Sequence, residues 1–220
     1  MSDRLAALDD DDAFDDYLPR NLQVKSSVHF TPIAIARHVA PLLAPKPGMS
    51  VLDVGAGPGK FCLAAAAQVP GARFVGVEFR RHLVEIARNL ARRLQLPNAE
   101  FVHANAFDLD WSGYDAFYLY NPFAEQLYGN ALRLDQAIDL DPASYVTYVS
   151  AVRRRLADAR LGTRVATYHG FGGPPPESYE RARDDSMGSD RIELWIKTRP
   201  RPAPRAMRPA SPPTAAPEVA

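Results

Sequence analysis

Three short stretches carry residue types that could do chemistry. The first is "DVGAGPGKF", where Gly55, Gly57 and Gly59 stand at every second position after Asp53. Glycines at that spacing permit positive φ angles and let a ligand lie directly on the backbone. The second is Glu78 at the end of the apolar run "FVGVEF": a carboxylate there could accept hydrogen bonds from both hydroxyls of a ribose, and Phe79 beside it could pack on a base. The third is "YLYNPFAE", an apolar run ending abruptly in Asn121-Pro122-Phe123. An amide, a proline and an aromatic ring at a strand end could grip an amino group, or form an ordinary turn.

These groups can act together only if the chain brings three strand ends to one edge. After "HFTPIAIARHVAPLLAP", read as a helix started by Thr31 and Pro32 and kinked or ended by Pro41, apolar strand-like runs alternate with helical ones. "MSVLDVGAG", "ARFVGVEF", "AEFVHANAF", "YDAFYLYNPF" and "TRVATYHGF" read as strands, and "DRIELWIKTR" as a sixth. "KFCLAAAAQV", "RRHLVEIARNLARRLQL" and Pro142 to Ala157 read as helices, the second with Leu83, Ile86, Ala87, Leu90 and Leu94 on one stripe. Strands apolar throughout and alternating with helices indicate an α/β, doubly wound, mostly parallel sheet of six or seven strands with helices on both faces. In such sheets ligands bind outside the carboxyl ends of the strands, where the glycine loop would lie.

Composition sets the frame. A chain of 220 residues with 46% hydrophobic content suits one buried domain. The net charge of zero conceals two opposed ends: residues 1–16 hold seven Asp against one Arg, and residues 199–220 hold four Arg against one Glu, with seven prolines. Both have the composition of disorder. The expected division is therefore an acidic, disordered leader over 1–20, a domain over 21–198 and a disordered Pro/Arg-rich tail over 199–220. One cysteine, Cys62, excludes an intramolecular disulfide framework and a cysteine-rich zinc site. No stretch is apolar enough to span a bilayer, so no membrane partner and a cytoplasmic address are expected. Residues 171–190 read as an insertion of turn signals and mixed charge.

The glycine loop lacks the dinucleotide fingerprint, because Lys60 stands where the third glycine belongs, and the Walker pattern is absent. Its Asp-x-Gly-x-Gly-x-Gly spacing resembles motif I of the class I S-adenosylmethionine-dependent methyltransferases, and Glu78 matches the acid expected after strand two. The resemblance covers about residues 29 to 170. It implies S-adenosyl-L-methionine as cofactor, no metal, and a cofactor site of Asp53, Gly55, Ala56, Gly57, Gly59, Glu78, Phe79, Asn105 and Ala106. Asn105 takes the adenine-binding place usually held by Asp, with Asp108 as a rival.

The acceptor side falls to Asn121, Pro122 and Phe123, with Asn121 also next to the cofactor. Amino-nitrogen methyltransferases acting on amides or nucleobases carry Asn or Asp, Pro-Pro and an aromatic; this chain has one proline fewer. "HFTPIAIARHVAPLL", "GVEFRRHLVEIARNLA" and the single Asn-x-Phe resemble the seven-strand-type, non-SET protein-lysine methyltransferases and their small prokaryotic relatives. In that resemblance the Thr31-Pro32 segment closes over the cofactor, and the acceptor is a protein amine or a small molecule, ahead of a nucleobase amino group. Tyr118, Tyr120, Tyr168 and Phe171 are available for an apolar channel that disfavours an ammonium form. Strand parity puts Tyr118 and Tyr120 in the core. His169 could act as a base or be an unreactive loop residue. A binding protein that keeps the pocket without catalysis is the rival from another class.

Overall fold

The computed structural model describes residues 3–134 and 140–201. A seven-stranded sheet has the order β3-β2-β1-β4-β5-β7-β6. Its strands are β1 (Ser50–Val54), β2 (Arg73–Glu78), β3 (Ala99–His103), β4 (Ala116–Leu119), β5 (Arg164–Tyr168), β6 (Tyr179–Met187) and β7 (Asp190–Lys197). The first five are parallel, and β7 runs antiparallel to both β5 and β6. The chain steps outward from β1 through β2 to β3, then returns to the other side of β1 with β4. The switch point therefore lies between β1 and β4.

Helices α4 (Ile33–Leu43), α5 (Lys60–Gln68) and α6 (Arg81–Leu94) belong to one core layer with Phe61, Phe74 and Tyr118. Helix α7 (Pro142–Asp158) packs in the second layer with Val152, Leu156 and Phe117. Of the expected stripe on α6, Leu83, Ala87, Leu90 and Leu94 are buried and Ile86 is half-buried at its margin. Its apolar face is wide enough to take in Val84 and Ala91 as well. Pro41 sits within α4 without ending it, since the helix continues to Leu43.

Two expectations are corrected. The acidic leader is folded: a 3₁₀ turn (Asp3–Leu8) is followed by α1 (Asp11–Asp15), α2 (Arg20–Gln23) and α3 (Ser26–His29), with Phe14, Leu18 and Leu22 in the core. Its carboxylates have a partner that composition alone does not reveal. Lys60, almost wholly buried at the start of α5, pairs with Asp11 at 2.8 Å and Asp15 at 3.1 Å. Asp11 Oδ1 also accepts the Ile33 N–H at 2.9 Å, so the leader caps α4, the task expected of Thr31. The Thr31 hydroxyl instead donates to the Tyr118 hydroxyl at 3.1 Å.

The segment read as an insertion contains β6. It escaped notice because its pattern is polar: an edge strand, paired on one side only, can expose most of its residues. The expected tail lies outside the described residues beyond Arg201.

Candidate active site

A cavity of about 480 Å³ opens at the carboxyl ends of β1, β2 and β4, at the switch point. Gly55 and Gly57 form its floor with φ of +80° and +55°. Space at both is tight as well. A Cβ on Gly55 would stand 3.3 Å from Pro122 Cβ, and one on Gly57 would stand 3.2 Å from the Phe30 ring. The glycine loop thus lies against the Asn-Pro-Phe turn on one side and the α3–α4 connection on the other.

Glu78 is 5% exposed and faces the same cavity. Its Oε2 accepts the Gly57 N–H at 3.2 Å and its Oε1 the Arg80 N–H at 2.9 Å. Burial pushes its pKa up, opposed by the Arg80 amide and guanidinium. The Arg80 side chain, also buried, pairs with Glu125 at 2.7 Å and lies over the Phe79 ring. Glu125 in turn accepts the Leu134 N–H at 2.7 Å, tying the segment after β4 to the end of β2.

Asn105 and Ala106 line the cavity, and the Asn105 Oδ1 accepts the Phe107 N–H at 3.0 Å. Asp108, the rival, does not line it. Asn121, Pro122 and Phe123 line the cavity beside the glycine loop. Asn121 holds φ at +38°, and its N–H donates to Gly170 O at 2.8 Å, joining the ends of β4 and β5. Phe123 belongs to an aromatic cluster with Phe107 at 5.9 Å and Tyr148 of α7 at 5.3 Å.

Three expected cofactor residues are not on the cavity wall. Asp53 is buried beneath the loop, where its Oδ2 accepts a weak hydrogen bond from Cys62 Sγ at 3.6 Å. Desolvation pushes its pKa up to about 8; the Cys62 bond opposes this and the Glu78 charge adds to it. Ala56 and Gly59 pack the loop against the sheet, Gly59 so closely that a Cβ would stand 2.6 Å from Phe101. Parity alone would place Asp53 and Gly59 with Gly55 and Gly57, but Asp53 still belongs to β1 and Gly59 already begins the turn into α5, so both point into the packed interior.

On the acceptor side, Tyr118 is core and stacks on Phe61 at 3.8 Å, as parity requires. Tyr120 is not: β4 ends at Leu119, the alternation lapses, and the Tyr120 ring lines the cavity. Tyr168 and Phe171 are buried away from it, whereas His169 faces it. Phe30 covers the loop rather than Thr31-Pro32. Phe30, Arg80, Phe107, Tyr148 and Ser189 were not singled out from sequence, because no short motif marks them.

A model of the methyltransferase domain family matches residues 45–130, which run from the lead into β1 past the Asn-Pro-Phe turn. The segment that supplies most of the cavity wall is thus the one that the methyltransferase domain family matches. Solved structures share the architecture. An RNA methyltransferase from Salinibacter ruber, solved with S-adenosyl-L-homocysteine, superposes with a TM-score of 0.53 over 81% of this chain and 98% of its own, at 21% identity. TrmN from Thermus thermophilus gives 0.57 over 81% of this chain and 52% of its own, also at 21% identity.

Curated methyltransferases match locally. A tRNA (guanine-N(7)-)-methyltransferase from Synechococcus sp. (strain JA-3-3Ab) is 44% identical over 54 residues, 24% of this chain and 23% of that one. A release factor glutamine methyltransferase from Vibrio cholerae is 37% identical over 57 residues, 26% and 20% of the two chains. The matched stretch thus spans less than a quarter of either relative. Among the described residues, no helix is long and apolar enough to cross a membrane.

Proposed function

We propose that this methyltransferase transfers a methyl group from S-adenosylmethionine to a nitrogen nucleophile on a protein side chain or small molecule. The carrying observation is one cavity lined together by glycine backbone, Glu78 and Asn121-Pro122-Phe123. The chain's residues fit the cofactor. Gly55 and Gly57 offer bare backbone at positive φ, and each Glu78 oxygen accepts one amide, leaving lone-pair capacity for a ribose diol. Phe79, Asn105 and Ala106 line the same cavity and would border the base. Asp53, Ala56 and Gly59 hold the loop's shape from beneath.

The bound cofactor supplies an activated methyl carbon on a sulfonium, so the protein mainly has to align the acceptor. Asn121 offers an amide for the acceptor's hydrogens, with its backbone fixed by the bond to Gly170. Phe123, backed by Phe107 and Tyr148, makes an aromatic wall. Such a wall favours a flat or deprotonated nitrogen over a hydrated ammonium.

A macromolecular polyanion is disfavoured on the β6–β7 hairpin, where the arginines are paired: Arg181 with Glu193, Arg183 with Asp185 and Arg191 with Asp184. RNA is the second reading, favoured by the tRNA-modifying relatives. Calorimetry with S-adenosylmethionine and S-adenosylhomocysteine tests the first half of the proposal; binding of neither overturns it. Labelled methyl transfer into cell-extract fractions tests the second half. Label removed by protease, or found in small molecules, supports the proposal. Label removed by ribonuclease overturns the acceptor assignment, and such transfer should fall steeply with salt.

A further inference from the structure

His169 is the acceptor-side group that the proposed function leaves without a task. It sits at the end of β5 with φ of +56° and faces the cavity, as does Ser189 from the β6–β7 turn. The imidazole is held at both nitrogens. Nδ1 lies 2.9 Å from Asp190 Oδ2, and Nε2 lies 3.1 Å from Ser189 Oγ. A carboxylate at Nδ1 fixes that nitrogen as the N–H donor, which leaves Nε2 as an acceptor for the serine hydroxyl.

Ser189 is itself positioned. Its N–H donates to the Tyr168 hydroxyl at 3.1 Å, and the two hydroxyls are 3.1 Å apart. Gly188 permits that approach, since a Cβ there would stand 2.7 Å from the Tyr168 oxygen. The other titratable groups around the imidazole are Tyr120, whose ring is 5.5 Å away, and Tyr168 at 4.5 Å. The turn that carries Ser189 and Asp190 exists only because β6 and β7 form a hairpin beside β5.

We propose that Ser189, His169 and Asp190 form a proton relay that deprotonates the methyl acceptor in this cavity. As the acceptor's lone pair bonds to the methyl carbon, the carbon–sulfur pair leaves with the sulfur, which becomes a neutral thioether. The acceptor's surplus proton passes to Ser189 Oγ while the proton of that hydroxyl passes to His169 Nε2. The imidazolium is stabilised by Asp190 and returns its proton to solvent, to which the half-buried ring has access. Asp190 is a positioning residue: it acts through His169 and does not touch the acceptor.

The proposal rests on the methyltransferase reading, and the experiment separates the two. S-adenosylhomocysteine affinity, thermal unfolding and the pH profile of labelled methyl transfer into unfractionated cell extract are measured for wild type, His169→Gln and His169→Gly. Glycine suits the positive φ at this position, so the second variant should fold, leaving a gap that free imidazole can enter. The expected result is unchanged cofactor affinity, a loss of transfer of about 10²- to 10⁴-fold, disappearance of the acid limb of the pH profile, and partial restoration of His169→Gly by added imidazole. His169→Gln with the wild-type rate and pH profile overturns the relay while leaving the methyltransferase reading standing. Failure of the wild type to bind the cofactor product overturns both.

Discussion

Glu78 is a carboxylate held almost out of water, with one backbone N–H on each oxygen. Its removal should weaken S-adenosylmethionine binding by the worth of a charge-assisted hydrogen bond, about 1.5–3 kcal/mol, or roughly 10- to 150-fold in Kd. Asn121→Ala should leave Kd nearly unchanged and lower turnover. Calorimetry on both variants checks the split, and equal binding by both would displace the assigned cofactor end. Asp53 makes a different prediction. The folded carboxyl has a pKa raised to about 8, against a usual value of 3.8. It therefore keeps its proton in a range where the unfolded chain has lost it. Its contribution to stability is complete below about pH 4 and is lost as pH rises through about 8. Asp53→Asn, which stays neutral, should flatten that part of the stability profile and equal or exceed wild type at pH 8, as read from denaturant midpoints across pH.

At the scale of elements, the leader and the glycine loop carry sharper consequences than their sequences suggest. Phe14, fully buried, anchors α1 in the core, with the Lys60 ammonium of α5 5.3 Å from its ring centroid. Phe14→Ala should cost about 3–5 kcal/mol, whereas in a solvated leader the same change would be nearly silent. Urea unfolding distinguishes the two. Within the loop, Gly59→Ala combines a positive φ with a Cβ driven to 2.6 Å from Phe101 and 2.9 Å from Ala87. A loss of about 2–5 kcal/mol follows from strain plus overpacking. Gly48→Ala is the control: its φ is +80°, but nothing lies within 4 Å of the added Cβ, so only the conformational cost of about 1–2 kcal/mol applies.

For the whole molecule, the cavity lies at the one place where the sheet order reverses, and its walls come from both halves of the chain. Ligand binding should therefore stabilise the domain as a unit. S-adenosylhomocysteine at 100 times its Kd should add about 2.7 kcal/mol and raise Tm by about 5–10 °C. A scan with no shift would count against the cofactor assignment. The net charge of zero conceals arginines neutralised in pairs on the hairpin, which is why the acceptor assignment turns on local pairing and not on composition.

The alternation of apolar strands and amphipathic helices was legible because burial on both faces leaves a period in the residues themselves. The glycine spacing and Glu78 were legible because backbone freedom and charge at a strand end are local demands. The sequence by itself determined a doubly wound sheet and the cavity-facing ends of β1, β2 and β4. Tertiary structure decided which loop residues face the cavity and which lie beneath it, since that depends on the path of the turn. It also decided that seven leader aspartates include partners for buried Lys60, and that His169 meets Ser189 and Asp190 across a hairpin. Those contacts join residues about 20 to 49 positions apart, and no local pattern records what a distant segment will bring to a side chain.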